Sequence, residues 1–101
     1  MQAFTIKHIN RKNLNEFIEI TELYYANNDI VQASEPFVYD DHANKFQEAY
    51  LILNGKCYYK IYNETVECNT GDYITIKPGV VHSFDYKGGE PLKVMRFSQE
   101  R

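Results

Sequence analysis

The chain has 101 residues, a length that suits one domain with a single small core. Its composition is 44% hydrophobic and 25% charged, and its net charge of −3 comes without any run of Lys or Arg. Because nucleic-acid binding needs clustered basic residues, we expect no nucleic-acid partner. No apolar stretch approaches the ~18 residues of a membrane span, and the N-terminus has no apolar leader. We therefore expect a cytoplasmic protein with no membrane partner.

The N-terminal third mixes several kinds of local pattern. Phe4 and Ile6 alternate with polar residues, as in an opening strand. Asn13 and Glu16 resemble a helix-capping pair, so the segment "NLNEFIEITEL" predicts a short helical turn. Residues 24–36 are polar and end at a proline, which is typical of a loop.

From Phe37 onwards the pattern is that of β strands. We expect one domain over residues 1–101. In this interpretation residues 1–36 form an N-terminal strand, helix and loop that cover a β core of residues 37–98.

Two turn signals organise the middle of the chain. Asn54-Gly55 lies between apolar runs and predicts a two-residue hairpin, because both positions tolerate positive φ. Asn63-Glu64 is a weaker signal of the same kind. Two-residue turns at both places would pair Tyr50 with Tyr59, and Tyr59 with Cys68.

Side chains alternate between the two faces of a strand, so the pattern also assigns an interior. The predicted inner set is Glu48, Tyr50, Ile52, Cys57, Tyr59, Ile61, Val66 and Cys68. The predicted outer set is Ala49, Leu51, Leu53, Lys56, Tyr58, Lys60, Tyr62 and Glu67. Ala49 and Leu51 are too apolar for a solvated surface, so either the N-terminal segment or a second subunit must cover them.

The two cysteines match neither a zinc module nor a redox motif. In the predicted register Cys57 is only diagonal to Cys68, at a distance too long for a disulfide. We expect two buried, reduced thiols.

A possible site begins upstream of the first predicted hairpin. His42, Asn44, Phe46 and Glu48 are spaced by two and share the inner face if this stretch is extended. An inward glutamate is costly unless it is protonated, paired with a cation or bound to a metal. Further along, Pro78-Gly79 breaks a strand just before His82. Two histidines and a carboxylate that converge are a recurring site for Fe, Mn, Ni or Zn.

These residues resemble the two motifs of a small single-domain cupin, over residues ~37 to 98. His42, Asn44, Glu48 and Gly55 stand at the spacings of the first motif, with Asn44 in place of its second histidine. Gly71, Gly79 and His82 match the second motif, while Lys77 stands where its proline is usual and Tyr86 replaces its asparagine. The resemblance implies an all-β double-stranded β-helix, or jelly-roll barrel, with a short N-terminal helical or loop segment.

The resemblance also implies that His42, Glu48 and His82 bind a divalent transition metal, with Asn44 as a fourth ligand. The residues leave other roles open. His82 also suits a structural hydrogen bond, and Glu48 also suits an ion pair with Arg96 or Lys93. His42 follows two aspartates that themselves have ligand chemistry, Asp40 and Asp41.

Three functions fit this pattern. The first is a metal-dependent enzyme that acts on a small polar molecule; the resemblance implies a sugar isomerase or epimerase or a small-molecule dioxygenase, with Glu48 as a candidate catalytic base if it is not a ligand. The second is a non-catalytic small-molecule-binding or sensor domain, with or without a metal, and the third is an assembly module. The predicted ligand pocket consists of Tyr50, Tyr59, Phe46 and Phe84. We also expect a homodimer, since cupins usually pair.

Overall fold

The structure is a computed structural model that describes residues 3–9, 27–43 and 47–98. These ranges contain strands and no helix, and thus no helix long and apolar enough to cross a membrane. The predicted helical turn in "NLNEFIEITEL" lies outside them. The strands are β1 Phe4–His8, β2 Asn27–Ala33, β3 Phe37–His42, β4 Glu48–Asn54, β5 Lys56–Ile61, β6 Glu64–Asn69, β7 Asp72–Ile76, β8 His82–Tyr86 and β9 Leu92–Ser98.

The strands form two antiparallel sheets whose inner faces enclose the core. The larger sheet, sheet A, has the order β1-β7-β4-β9-β2, and the smaller one, sheet B, has the order β3-β8-β5-β6. The core contains alternate residues of both sheets, which is the arrangement that a two-layer β fold requires. Its fully buried members include Tyr50, Ile52, Ile74, Val94, Cys57, Tyr59, Ile61, Cys68, Phe84 and Tyr86. The all-β prediction is confirmed.

The loop predicted for residues 24–36 is wrong in its central part. Residues 27–33 form β2, which pairs with β9 from Asn27 opposite Ser98 to Ala33 opposite Leu92. Val31 and Ala33 pack against the core. Backbone pairing with the edge of sheet A stabilises this strand despite its polar composition, because ladder hydrogen bonds do not depend on side-chain polarity.

The hairpin predicted at Asn54-Gly55 is also wrong, because β4 belongs to sheet A and β5 to sheet B. The turn is instead a corner between the sheets. The amide of Asn54 donates from Nδ2 to the Pro91 carbonyl at 2.6 Å, and the Gly55 N–H donates to Thr70 Oγ1 at 3.0 Å. Gly55 has φ +91°, and a Cβ there would lie 2.8 Å from the Pro91 oxygen. Only glycine fits this corner without strain.

The second hairpin exists, with its turn one residue earlier than predicted. Ile61 lies opposite Glu64, so the two turn residues are Tyr62 and Asn63. The ladder therefore shifts by two residues, and Cys57 lies directly opposite Cys68 instead of diagonal to it. A shift of two residues leaves every side chain on its predicted face.

The predicted inner and outer faces are confirmed by burial. Of the inner set only Val66 is not fully buried. Ala49 and Leu51, on the outer face of sheet A, are also fully buried, in a cluster with Ile9, Tyr73 and Phe97. Since this burial occurs within a single chain, these residues need no second subunit to cover them.

Candidate functional site

A sharp corner returns the chain to the core at His82. β7 ends at Ile76 in sheet A, and β8 begins at His82 in sheet B. Between them Gly79 has φ +78°, and Val80 is already buried. The proline and glycine thus permit a tight passage between the sheets, and they place the His82 imidazole, 1% exposed, inside the barrel.

The orientation of the His82 ring is fixed from both sides. Its Nδ1 lies 2.9 Å from the carbonyl oxygen of Val80, which can only accept a hydrogen bond. Nδ1 therefore carries a proton, and Nε2 points inward to Oε1 of Glu48 at 2.8 Å. In metal-binding histidines, too, one ring nitrogen usually donates a hydrogen bond to a carbonyl or carboxylate, and this bond orients the other nitrogen toward the metal.

Glu48 lies on β4 and is 1% exposed, with partners on both carboxylate oxygens. Oε1 meets His82, while Oε2 accepts a hydrogen bond from Arg96 Nε at 2.8 Å and one from the Tyr50 hydroxyl at 3.3 Å. Burial by itself raises the pKa of Glu48, but the hydrogen bonds and positive charges of His82 and Arg96 outweigh it and lower the pKa to about 2. The carboxylate is therefore ionised at neutral pH.

An aromatic cluster lies against this centre. The ring centroids of Tyr50 and Tyr59 are 5.0 Å apart, and Phe84 lies 5.7 Å from Tyr50 and 5.0 Å from Tyr59. The predicted contact between the two tyrosines is confirmed, although they come from opposite sheets and are not paired in a hairpin. The Tyr50 hydroxyl also lies 3.4 Å from His82 Nε2. The Tyr59 hydroxyl oxygen is fully buried, and its polar neighbour is the thiol of Cys57.

The other predicted site residues are only partly described. The backbone of His42 lies opposite that of His82 in the β3–β8 ladder, after a local shift of register. The side chain of His42 lies outside what the structure describes, as do Asn44 and Phe46. Within residues 3–9, 27–43 and 47–98, no three His, Cys, Asp or Glu side chains form a metal-binding group.

The two described candidates nevertheless suit a transition metal. His82 offers Nε2 while its Nδ1 is fixed, and Glu48 offers Oε1 while Arg96 holds Oε2. Ligating carboxylates and imidazoles usually have such a second partner. The Oε1–Nε2 separation of 2.8 Å is also near that of two adjacent ligands, about 3 Å for metal–ligand bonds of ~2.1 Å.

Arg96 was expected only as one of two possible partners for Glu48, yet it is part of the centre. The sequence signal is the alternation of β9, in which Leu92, Val94 and Ser98 are buried and Arg96 shares their parity. An arginine at an inward position requires a buried acid, and Glu48 is the described one that meets it.

A family model described as a cupin domain matches residues 31–97, which is well over half of the chain. The chain belongs to the cupin family. In this cupin the second motif is the segment that carries the corner and His82, and the first supplies Glu48. The double-stranded β-helix expected from the resemblance is thereby supported, with the N-terminal helical segment left outside the described residues.

Several solved structures share this fold. Acireductone dioxygenase from Bacillus anthracis, with a cadmium ion in its active centre, superposes with a TM-score of 0.72 at 13% identity, over 96% of this chain and 78% of that one. Salicylate 1,2-dioxygenase from Pseudaminobacter salicylatoxidans gives 0.65 at 14% identity, over 71% of this chain and 20% of that one. At such identities the similarity establishes the fold alone.

A conserved protein of unknown function from Streptococcus pyogenes gives a TM-score of 0.62 at 16% identity, over 73% of this cupin. The match spans 64% of the Streptococcus chain, so this cupin corresponds to under two thirds of that protein. Comparison with curated protein sequences gave no match.

Proposed function

We propose that this cupin binds a small polar organic molecule against the Glu48–His82 pair and acts on it as an enzyme. The observation that carries the proposal is the 2.8 Å contact between two buried ionisable side chains from different sheets. A buried ion pair contributes little net stability compared with apolar side chains of similar volume. Ionisable groups that are held together in this way are therefore candidates for a functional centre.

The geometry favours His82 as the group that exchanges a proton with the ligand. A carboxylate whose pKa is about 2 is a weak base, so Glu48 is better suited to stabilise a positive charge next to it. Because Nδ1 donates to Val80 and the ionised carboxylate of Glu48 can only accept, His82 Nε2 also carries a proton in this arrangement, and it would donate that proton to a substrate oxygen. Proton donation to a carbonyl oxygen assists the enolisation step of an isomerase or epimerase.

The same centre supports a metal-dependent version of the function. His82 Nε2 and Glu48 Oε1 would hold a divalent Fe, Mn, Ni or Zn ion, with His42 and Asn44 as the other two predicted ligands. Such an ion polarises a substrate oxygen or activates dioxygen when it is bound. Two of the similar structures are dioxygenases, and one has cadmium in its active centre, which supports this version.

Metal analysis of the purified and reconstituted protein tests the metal-dependent version. We expect one transition metal per chain, lost in His82→Ala and in His42→Ala. His8→Ala is the matched control, because the His8 side chain is exposed and pairs only with the partly buried Asp72 among the described residues. Equal metal content in all three variants would refute the proposed ligand set.

A metal-free binding or sensor domain is the second candidate, and Arg96 favours it. The guanidinium already supplies a positive charge to Glu48 at 2.8 Å, which is the role that a cation would otherwise have. In this case the reconstituted protein would contain no metal, and small hydroxylated acids would still raise its melting temperature. Loss of that shift in Tyr50→Phe, with the fold retained, would locate the binding at the same centre.

We also propose a cytoplasmic location, supported by two free thiols that lie directly opposite each other.

A further inference from the structure

The two cysteines of the chain lie on the same face of the β5–β6 hairpin. Cys57 and Cys68 are directly opposite each other in the antiparallel ladder, and each side chain is 0% exposed. Both are free thiols. The Glu48–His82 centre uses neither of them, so the chemistry of this pair is a separate question.

The separation of the two backbones suits a disulfide. Directly opposite Cα atoms in an antiparallel pair are about 4.5–5.5 Å apart. A disulfide joins Cα atoms that are about 4.4–6.8 Å apart, so the ladder already holds Cys57 and Cys68 within this range. Opposed residues also direct their side chains to the same face of the sheet. The bond can therefore form without any change of register.

The position of β6 determines how a reagent reaches these thiols. Among the described strands β6 is the edge of sheet B and pairs within that sheet only with β5, whereas β5 also pairs with β8. Most residues of β6 are exposed. An edge strand with few buried contacts opens locally at a lower free energy than a central strand. Opening of β6 would carry Cys68 out of the core, while β8 still holds β5.

The closed state protects both thiols. Burial raises the pKa of Cys57 to about 12 and also raises the pKa of Cys68. Since the thiolate is the nucleophile in thiol–disulfide exchange, neither thiol reacts readily while the hairpin is closed. Exchange therefore proceeds through the open form of β6.

We propose that Cys57 and Cys68 form a reversible disulfide by exchange with a low-molecular-weight disulfide, and that this bond fixes β6 to β5. When β6 opens, the Cys68 thiol loses a proton and attacks one sulfur of the small disulfide, which releases a first thiolate. The Cys57 thiol then loses its proton, attacks the mixed disulfide at Cys68 and releases the second thiolate. The chain is oxidised by two electrons, and the small disulfide is reduced to two thiols that take up the two protons.

The bond would also reach the aromatic cluster of the candidate site. The Cys57 thiol is the polar neighbour of the buried Tyr59 hydroxyl, and the Tyr59 ring lies 5.0 Å from the ring of Tyr50. Oxidation removes the hydrogen of this thiol and thereby changes the partner of the hydroxyl. The disulfide itself does not depend on the proposed function, because its formation requires no activity of the Glu48–His82 centre.

Equilibration with glutathione tests the proposal. The reduced protein is incubated at pH 8 with mixtures of reduced and oxidised glutathione, in native buffer and in urea, and its intact mass is measured after an acid quench. We expect the native chain to lose about 2 Da, the two hydrogen atoms given up in the exchange, and dithiothreitol to restore the original mass. Because the chain has 2 cysteines, this loss without a doubled mass identifies the bond.

The same measurements give the effective concentration of the two thiols for each other. This value should be about 10-fold higher in the native protein than in urea, because the fold holds the thiols together. The matched control is Glu67→Cys with Cys68→Ser, which moves the second thiol by one residue to the outer face of β6. Its effective concentration should be lower in native buffer than in urea, and circular dichroism checks that this variant is folded.

Single variants test the route through the edge strand. Cys57→Ser retains the thiol on β6 and should take up one glutathione faster than Cys68→Ser, in which only the thiol of β5 is left. Equal uptake by the two variants would overturn entry through β6. The disulfide would be overturned by an effective concentration no higher in native buffer than in urea, by equal values for the native chain and the control, or by a native end product that keeps glutathione bound.

Discussion

Arg96 and Glu48 form a 2.8 Å ion pair between neighbouring strands of sheet A, and the second oxygen of the same carboxylate meets His82 of sheet B. Glu48 thus connects the two layers at one end of the core. His82 and Arg96 together keep this acid ionised, since burial alone would favour its protonated form. The state of the centre therefore depends on a residue that belongs to neither cupin motif.

Removal of Arg96 should destabilise the fold and change the chemistry of Glu48. We expect Arg96→Met to lower the free energy of unfolding by about 2 kcal/mol, less than for a fully buried pair because Arg96 is 22% exposed. Urea unfolding at neutral pH measures the loss. In the double variant Glu48→Gln/Arg96→Met the loss should be smaller than the sum of the two single losses, because the interaction is removed only once. Additive losses would contradict direct coupling.

The depressed pKa of Glu48 predicts a pH dependence of stability with a defined sign. The folded-state pKa of about 2 is below the ordinary value of 4.5, so the unfolded state binds more protons in this range. The stabilisation is fully present above about pH 4.5 and is lost as the pH falls towards 2. Its full size is about 3 kcal/mol by linkage.

The measurement is the free energy of unfolding between pH 2 and 5, in metal-free buffer. Glu48→Gln is the control, because it has no proton to take up and its curve should be flatter over the same window. Parallel curves for the two proteins would show that other carboxylates account for the acid sensitivity.

The sequence predicted the faces of the strands better than their partners. Period-two alternation placed Tyr50 and Tyr59 inside, and this result does not depend on which strands pair. Asn54-Gly55 does mark a tight turn, but a turn signal alone does not distinguish a hairpin from a corner between layers. That choice depends on Thr70 and Pro91, which are remote in sequence.

The site shows the same division. The resemblance to the two cupin motifs predicted that Glu48 and His82 meet, and their side chains lie 2.8 Å apart; each motif is local and ends at a sheet corner. The pairing of β2 with β9 was not predictable from the polar stretch itself, since its stabilisation comes from a strand about 60 to 70 residues away along the chain. The sequence left two partners open for Glu48, Arg96 and Lys93. In the structure Arg96 lies on the inner face of β9, whereas Lys93 lies on its exposed face, so Arg96 is the partner.

The opposed thiols of Cys57 and Cys68 predict a second pH effect. Burial raises the pKa of Cys57 to about 12 and also raises that of Cys68, from an ordinary value of 9. Both are acids whose folded-state pKa is raised, so their contribution to stability is present below about pH 9 and is lost as the pH rises towards 12.

The same burial predicts low thiol reactivity. Native protein at pH 8 should resist alkylation by iodoacetamide, whereas protein in urea should react at both positions. Cys57→Ala/Cys68→Ala should have a flatter stability curve above pH 9. Rapid labelling of the native protein would show that the β5–β6 edge opens readily.

The corner at Gly55 can be tested against a second glycine with a similar backbone. Gly55 and Gly79 have φ +91° and +78°, so an alanine at either position incurs the left-handed strain of about 1–2 kcal/mol. A Cβ at Gly55 would also lie 2.8 Å from the Pro91 oxygen, whereas a Cβ at Gly79 would meet nothing within 4 Å. We expect Gly55→Ala to cost about 2 kcal/mol more than Gly79→Ala in urea unfolding, because backbone must move at Gly55. Equal costs would mean that the Asn54-Gly55 turn does not pack against residues 90–92, and the passage of the chain from sheet A to sheet B would then need another explanation.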